Sequence, residues 1–190
     1  TATEEHHFKV TVDQLEAART DKTKVLLLNS PSNPTGMIYS REELEAIGNW
    51  AVEHDLLILA DDIYGRLVYN GNTFTPISSI SESIRQQTIV INGVAKAYAM
   101  TGWRVGYAVG NPEIIAAMGK IIGQTTSNLT TVAQYAAIEA FTGPQDTVET
   151  MRQAFEERLN TIYPLLAEVP GFEVVKPEGA FYLFPNVKKA

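Results

Sequence analysis

The chain has 190 residues, 45% of them hydrophobic and 19% charged, a balance that predicts a filled core and argues against disorder. A net charge of −7 argues against a nucleic-acid or anionic-membrane surface, and the lack of cysteine excludes a disulfide framework, a thiolate nucleophile and a thiolate metal site. No stretch approaches the roughly 20 apolar residues of a membrane span and no N-terminal targeting pattern is visible, so a cytoplasmic protein is expected.

Thr1–Lys9 is polar and reads as loop. Its His6-His7 pair, beside Glu4 and Glu5, has no third ligand cluster nearby, and adjacent histidines on an extended chain face opposite ways; a surface pair is expected rather than a metal site. Val12–Arg19 reads as a short helix that Thr11 or Asp13 can cap. Lys24–Asn29 is a continuous apolar run, the pattern of a strand buried on both faces. A loop fixed by Pro31, Pro34 and Gly36 follows, and then Ser40 and Glu43 stand at capping-box spacing before a helix reaching about His54. Leu56–Ala60 is the next buried strand and ends at Asp61-Asp62-Ile63-Tyr64. Strand, helix and strand joined by short loops predict a βαβ unit in a parallel sheet.

Thr88–Ile91 reads as a third strand and Val105–Val109 as a fourth. Asn111-Pro112 opens a helix to about Gly123, with asparagine at the cap and proline in the first turn. After a polar break at Gln124–Thr131, Val132–Phe141 reads as helix and stops at Gly143-Pro144. A longer amphipathic helix spans about Gln145 to Glu168, and Phe172–Val175 is expected to pair with Gly179–Phe184. The change of pattern at Gly143-Pro144 suggests a boundary between residues 1–143 and 144–190.

Ligands of open α/β sheets bind beyond the carboxyl ends of the strands. That rule lines up Asn33, Asp61, Tyr64 and Lys96 along one rim. Lys96 stands among small and aromatic neighbours in Asn92–Tyr107, where an amine with few charged neighbours suits nucleophilic or Schiff-base chemistry. Arg104, eight residues later, suits a phosphate. Each residue taken singly also has a plainer reading. Lys96 and Arg104 can be exposed basic residues flanking a loop, Asp61 a helix cap, Asn33 a turn residue before proline, and Tyr64 a core residue.

Three motifs in order, each after a strand, go further. NPTG at Asn33–Gly36, ADDIY at Ala60–Tyr64 and GVAKAYAMTGWRVG at Gly93–Gly106 together resemble the class-I, aspartate-aminotransferase-like transferases that use pyridoxal 5'-phosphate. The closing GAFYLFPNV is similar to that family's small-domain hairpin. The resemblance implies an α/β fold of type I: part of a large domain, mostly parallel sheet with flanking helices, plus the start of a small α+β domain. It implies that Lys96 carries the cofactor as a Schiff base and shuttles a proton at the substrate α-carbon. Asp61 would face the pyridine nitrogen, Tyr64 and Asn33 the ring's phenolic oxygen, and Arg104 the phosphate. The implied reaction moves an amino group from an L-amino acid, aspartate favoured, to a 2-oxo acid, in a full-length homodimer. A carbon–sulfur β-lyase of the same fold is the alternative within the enzymes.

The sequence also departs from the family pattern. Gly93 and Ala95 stand where many relatives carry hydroxyls, and Leu129 stands where they often have proline. Nothing before Lys24 resembles the family's phosphate-binding loop, and nothing after Phe184 supplies its carboxylate-gripping arginine. The expectation is therefore a fragment that has little turnover by itself, or that acts only as a silent binding or folding unit. A nucleotide-binding domain lacks support, because neither a Rossmann glycine fingerprint nor a phosphate-binding loop is present.

Overall fold

Four strands form the sheet on which the molecule is built. The protein is seen here as a computed structural model that describes residues 2–190. Strands β1 (Val25–Asn29), β2 (Leu57–Asp61), β3 (Thr88–Gly93) and β4 (Gly106–Val109) lie side by side in chain order. The first three are parallel, with Asn29 opposite Asp61 and Asp61 opposite Ile91, so β1 and β2 finish at one level and β3 runs two residues further. Strand β4 runs antiparallel, with Gly93 opposite Gly106. The reason is the connection: residues 94–105 form a loop without a crossover helix, and a parallel return needs one.

The β1–β2 crossover is helix α2 (Arg41–Glu53), opened by the reciprocal capping box of Ser40 and Glu43. Helix α1 (Val12–Ala18) opens in the same way, with Thr11 and Gln14 as the two partners. Leu44, Ile47 and Trp50 on α2 meet Leu28 and Ile58 of the sheet in the main core. Each such fully buried aliphatic side chain contributes about 1.5–3 kcal/mol. A short helix that periodicity did not reveal, α3 (Glu82–Gln86), closes this core with Ile84.

The other face of β1 differs from the expectation of a strand buried on both sides. Leu28 is buried, yet Leu27 is 67% exposed, since no described element lies over that face. Helix α4 (Pro112–Thr125), with Asn111 as its cap, likewise leaves Ile121 and Ile122 open. Helices α5 (Thr131–Thr142) and α6 (Asp146–Ala167) follow, and α6 brings Phe155 and Leu159 against Tyr64, Leu67 and Tyr69.

The closing segment corrects one expected pairing. Strand β5 (Glu173–Val174) pairs with β6 (Pro185–Asn186), not with Gly179–Phe184. Residues 179–184 are instead drawn to the segment after β2. Gly179 bridges Val68, the Ala180 N–H donates to the Leu67 carbonyl at 2.9 Å, and the Tyr69 hydroxyl donates to the Ala180 carbonyl. Those backbone bonds, together with burial of Ala180, outcompete a longer hairpin.

Candidate active site

Asn29 is the residue that assembles the rim, and sequence reasoning passed over it. Its Nδ2 donates to the Asp61 carbonyl at 3.0 Å, while its Oδ1 accepts from the Asn33 N–H at 2.7 Å. The last residue of β1 thus ties the Asn33 loop to the end of β2. Its position in register with Asp61 was the available signal, but register is a long-range property. Asp61 Oδ1 accepts from the Ile63 N–H at 3.2 Å, and the Tyr64 carbonyl accepts from the Leu67 N–H at 2.8 Å, so a tight turn carries Tyr64 inward.

Tyr64 is only 4% exposed, and its hydroxyl lies 2.6 Å from that of Tyr182. Burial chiefly, then the Tyr182 hydroxyl and the nearby Asp61 charge, push the Tyr64 phenol well above its ordinary range; the nearby Asn33 side chain pulls the other way. The structure therefore brings Asn33, Asp61 and Tyr64 together. Lys96 joins them: its Nζ lies 5.7 Å from the Tyr64 ring centre and 5.4 Å from that of Phe181. Aromatic faces attract a cation at this separation. Among the described residues, no carboxylate is within ion-pair distance of Lys96.

The loop carrying Lys96 is closed by a 3.3 Å bond from the Val94 N–H to the Val105 carbonyl. Gly93 makes the closure possible, because a Cβ there would stand 2.6 Å from that carbonyl. The departure from a hydroxyl residue at this position thus has a steric cause in this chain. Arg104 sits on the same loop in a left-handed conformation (φ 56°), is exposed, and donates to the Thr101 carbonyl at 2.9 Å. It shares the closed loop with Lys96 but makes no hydrogen bond to Asn33, Asp61 or Tyr64.

Asp62 points to other company. It is 7% exposed and helps line a cavity of about 230 Å³ with Arg66, Asn92, Tyr98 and Tyr107. Burial and then the adjacent Asp61 charge push its carboxyl up to about 7. The acidic pair read from the sequence therefore splits into one rim residue and one buried residue.

A further contact joins the Asn33 loop to the closing segment. Gly36 has φ +71°, and its carbonyl accepts from the N–H groups of Glu178 and Gly179, both at 2.9 Å. Amine, carboxylate, phenol, amide and guanidinium are the donor set that a heteroaromatic ring with a ring nitrogen, an oxygen and a phosphate requires. The residues present fit pyridoxal phosphate.

The sequence profile of aminotransferase class I and II matches residues 1–190. The chain belongs to that family. A curated asparagine–oxo-acid transaminase of Streptococcus mutans is 82% identical over 98% of this chain and 48% of its own length. An aspartate aminotransferase of Bacillus sp. YM-2 is 59% identical over 100% of this chain and 48% of its own length. The crystal structure of the aspartate aminotransferase from Rhizobium meliloti superposes with a TM-score of 0.95 at 37% identity, over 98% of this chain and 47% of that one. The fold is accordingly the type I aminotransferase fold. The chain spans about half the length of the curated relatives it matches.

Proposed function

We propose that this chain carries the lysine-bearing half of a pyridoxal-phosphate aminotransferase that takes its amino group from aspartate or asparagine and passes it to a 2-oxo acid. The observation that carries this reading is the seat of Lys96 Nζ between the Tyr64 and Phe181 rings, beside the rim formed by Asn29, Asn33 and Asp61. The bound cofactor supplies an electron-withdrawing ring that stabilises negative charge at the substrate α-carbon. Lys96 Nζ would hold the cofactor covalently and, once the substrate amino group has displaced it, would as the freed amine move the proton at that carbon. The Asp61 carboxylate keeps a proton on the ring nitrogen, since an adjacent anion favours the protonated form. Tyr64 and Asn33 orient the ring oxygen, and the Arg104 fork grips the phosphate.

The choice of donor is supported by the names of the 82% and 59% identical relatives, one acting with asparagine and one with aspartate. Both are transaminases, which favours amino transfer over the β-lyase reading. The proposed arrangement assigns residues 1–143 to the cofactor-binding domain and 144–190 to the start of a second one, in a cytoplasmic protein that works as a homodimer. The isolated 190-residue chain is expected to show little turnover. Product analysis tests the reaction on the parent protein: aspartate or asparagine consumed in step with a 2-oxo acid acceptor supports it. Ammonia released without an acceptor, together with pyruvate from a sulfur amino acid, would sink it.

A further inference from the structure

We infer that Tyr182 is a positioning residue for Tyr64, accepting the Tyr64 hydroxyl proton and so competing with the cofactor's ring oxygen for it. The inference deepens the proposed function and rests on it for the second half of that statement. The geometry is specific. The two hydroxyl oxygens are 2.6 Å apart, and their rings meet edge to face with centres 5.8 Å apart. Tyr182 arrives from the segment that the Leu67 and Tyr69 contacts hold in place, 118 residues away in sequence.

The direction of the bond follows from burial. A phenol has one proton to donate, and a buried O–H needs an acceptor. Tyr64 is the buried partner and Tyr182 the half-buried one, so Tyr182 can satisfy its own proton with water. The Tyr64 proton therefore goes to the Tyr182 oxygen, the acceptor at hydrogen-bond distance. A ring oxygen entering the site meets a Tyr64 hydroxyl whose proton is already engaged. The strength of the Tyr64 contact is thereby set from the far end of the chain.

The test uses Tyr182→Phe, which keeps the ring and deletes only the hydroxyl. Tyrosine Cζ labelling followed by NMR titration of the cofactor-free chain reads the two phenols directly, with Tyr64→Phe to assign the signal. Tyr182→Phe is expected to lower the Tyr64 midpoint by about half a pH unit or more. A rise would mean that Tyr182 donates instead, and no movement would mean no pairing; either overturns the inference. With pyridoxal phosphate added, the pH midpoint of the visible band is expected to fall in Tyr182→Phe. A band whose midpoint is the same in both chains, alongside an intact NMR shift, would leave the pairing in place and overturn the competition for the cofactor.

Discussion

Replacing Asp62 by asparagine should make the protein more stable at neutral pH, by an amount that disappears in acid. The carboxyl is 7% exposed, and burial with the neighbouring Asp61 charge raises it from an ordinary 3.8 to about 7. A carboxyl raised in the native state holds a proton there that the unfolded chain has released. Stability is therefore full below pH 4 and is lost as pH rises through 7. Each tenfold change in proton affinity is worth about 1.36 kcal/mol, so the full rise sets a ceiling of about 4 kcal/mol. Water reaching the carboxyl through the cavity it lines reduces this, and about 2 kcal/mol is the working figure. Urea unfolding of both proteins at pH 4 and pH 8 measures it, because other titrating groups cancel in the difference. The advantage of the Asp62→Asn protein should grow by about 2 kcal/mol between those pH values. An equal difference at both, or one that shrinks as pH rises, would refute the assignment of a buried, proton-holding carboxyl.

Gly36→Ala forces a side chain onto a left-handed backbone with its Cβ 2.6 Å from Pro177 Cβ, and should destabilise the chain by about 2 kcal/mol or more; a neutral outcome would mean that the loop and the closing segment are not in contact. Tyr39→Phe removes the acceptor of the Val10 N–H, 2.9 Å away, and should cost about 1–2 kcal/mol while speeding amide exchange at Val10. Unchanged exchange there would contradict the docking of the N-terminal segment onto α2. Arg104→Lys replaces a fork by a point charge and should weaken pyridoxal phosphate binding about tenfold, while binding of pyridoxal, which has no phosphate, stays the same. Equal losses for both ligands would remove Arg104 from the phosphate role.

Local signals were the legible ones. The Ser40 and Glu43 capping box and the proline-led start of α4 are short-range patterns, and the elements they open fall where the spacing puts them. The order of the rim was legible too: Asp61 is the last residue of β2, and Asn33, Tyr64 and Lys96 lie a few residues past the ends of β1, β2 and β3. What stayed hidden depends on partners far away in sequence. Nothing near Gly179–Phe184 reveals that its backbone is satisfied by Leu67 and Val68 rather than by residues 172–175. Nothing near Asp62 reveals that it is buried while Asp61 is not. The Tyr64–Tyr182 pair and the bridging role of Asn29 are visible only once strands and closing segment are in place.

Covalent capture of the cofactor shows whether Lys96 is the residue that carries it. Pyridoxal phosphate is added to the folded 190-residue chain, the product is reduced with borohydride, and the modified peptide is mapped. A visible band is expected that reduction fixes to the peptide containing Lys96 and that Lys96→Ala lacks while remaining folded. Label spread evenly over the lysines, or an unchanged band in Lys96→Ala, would contradict that role for Lys96.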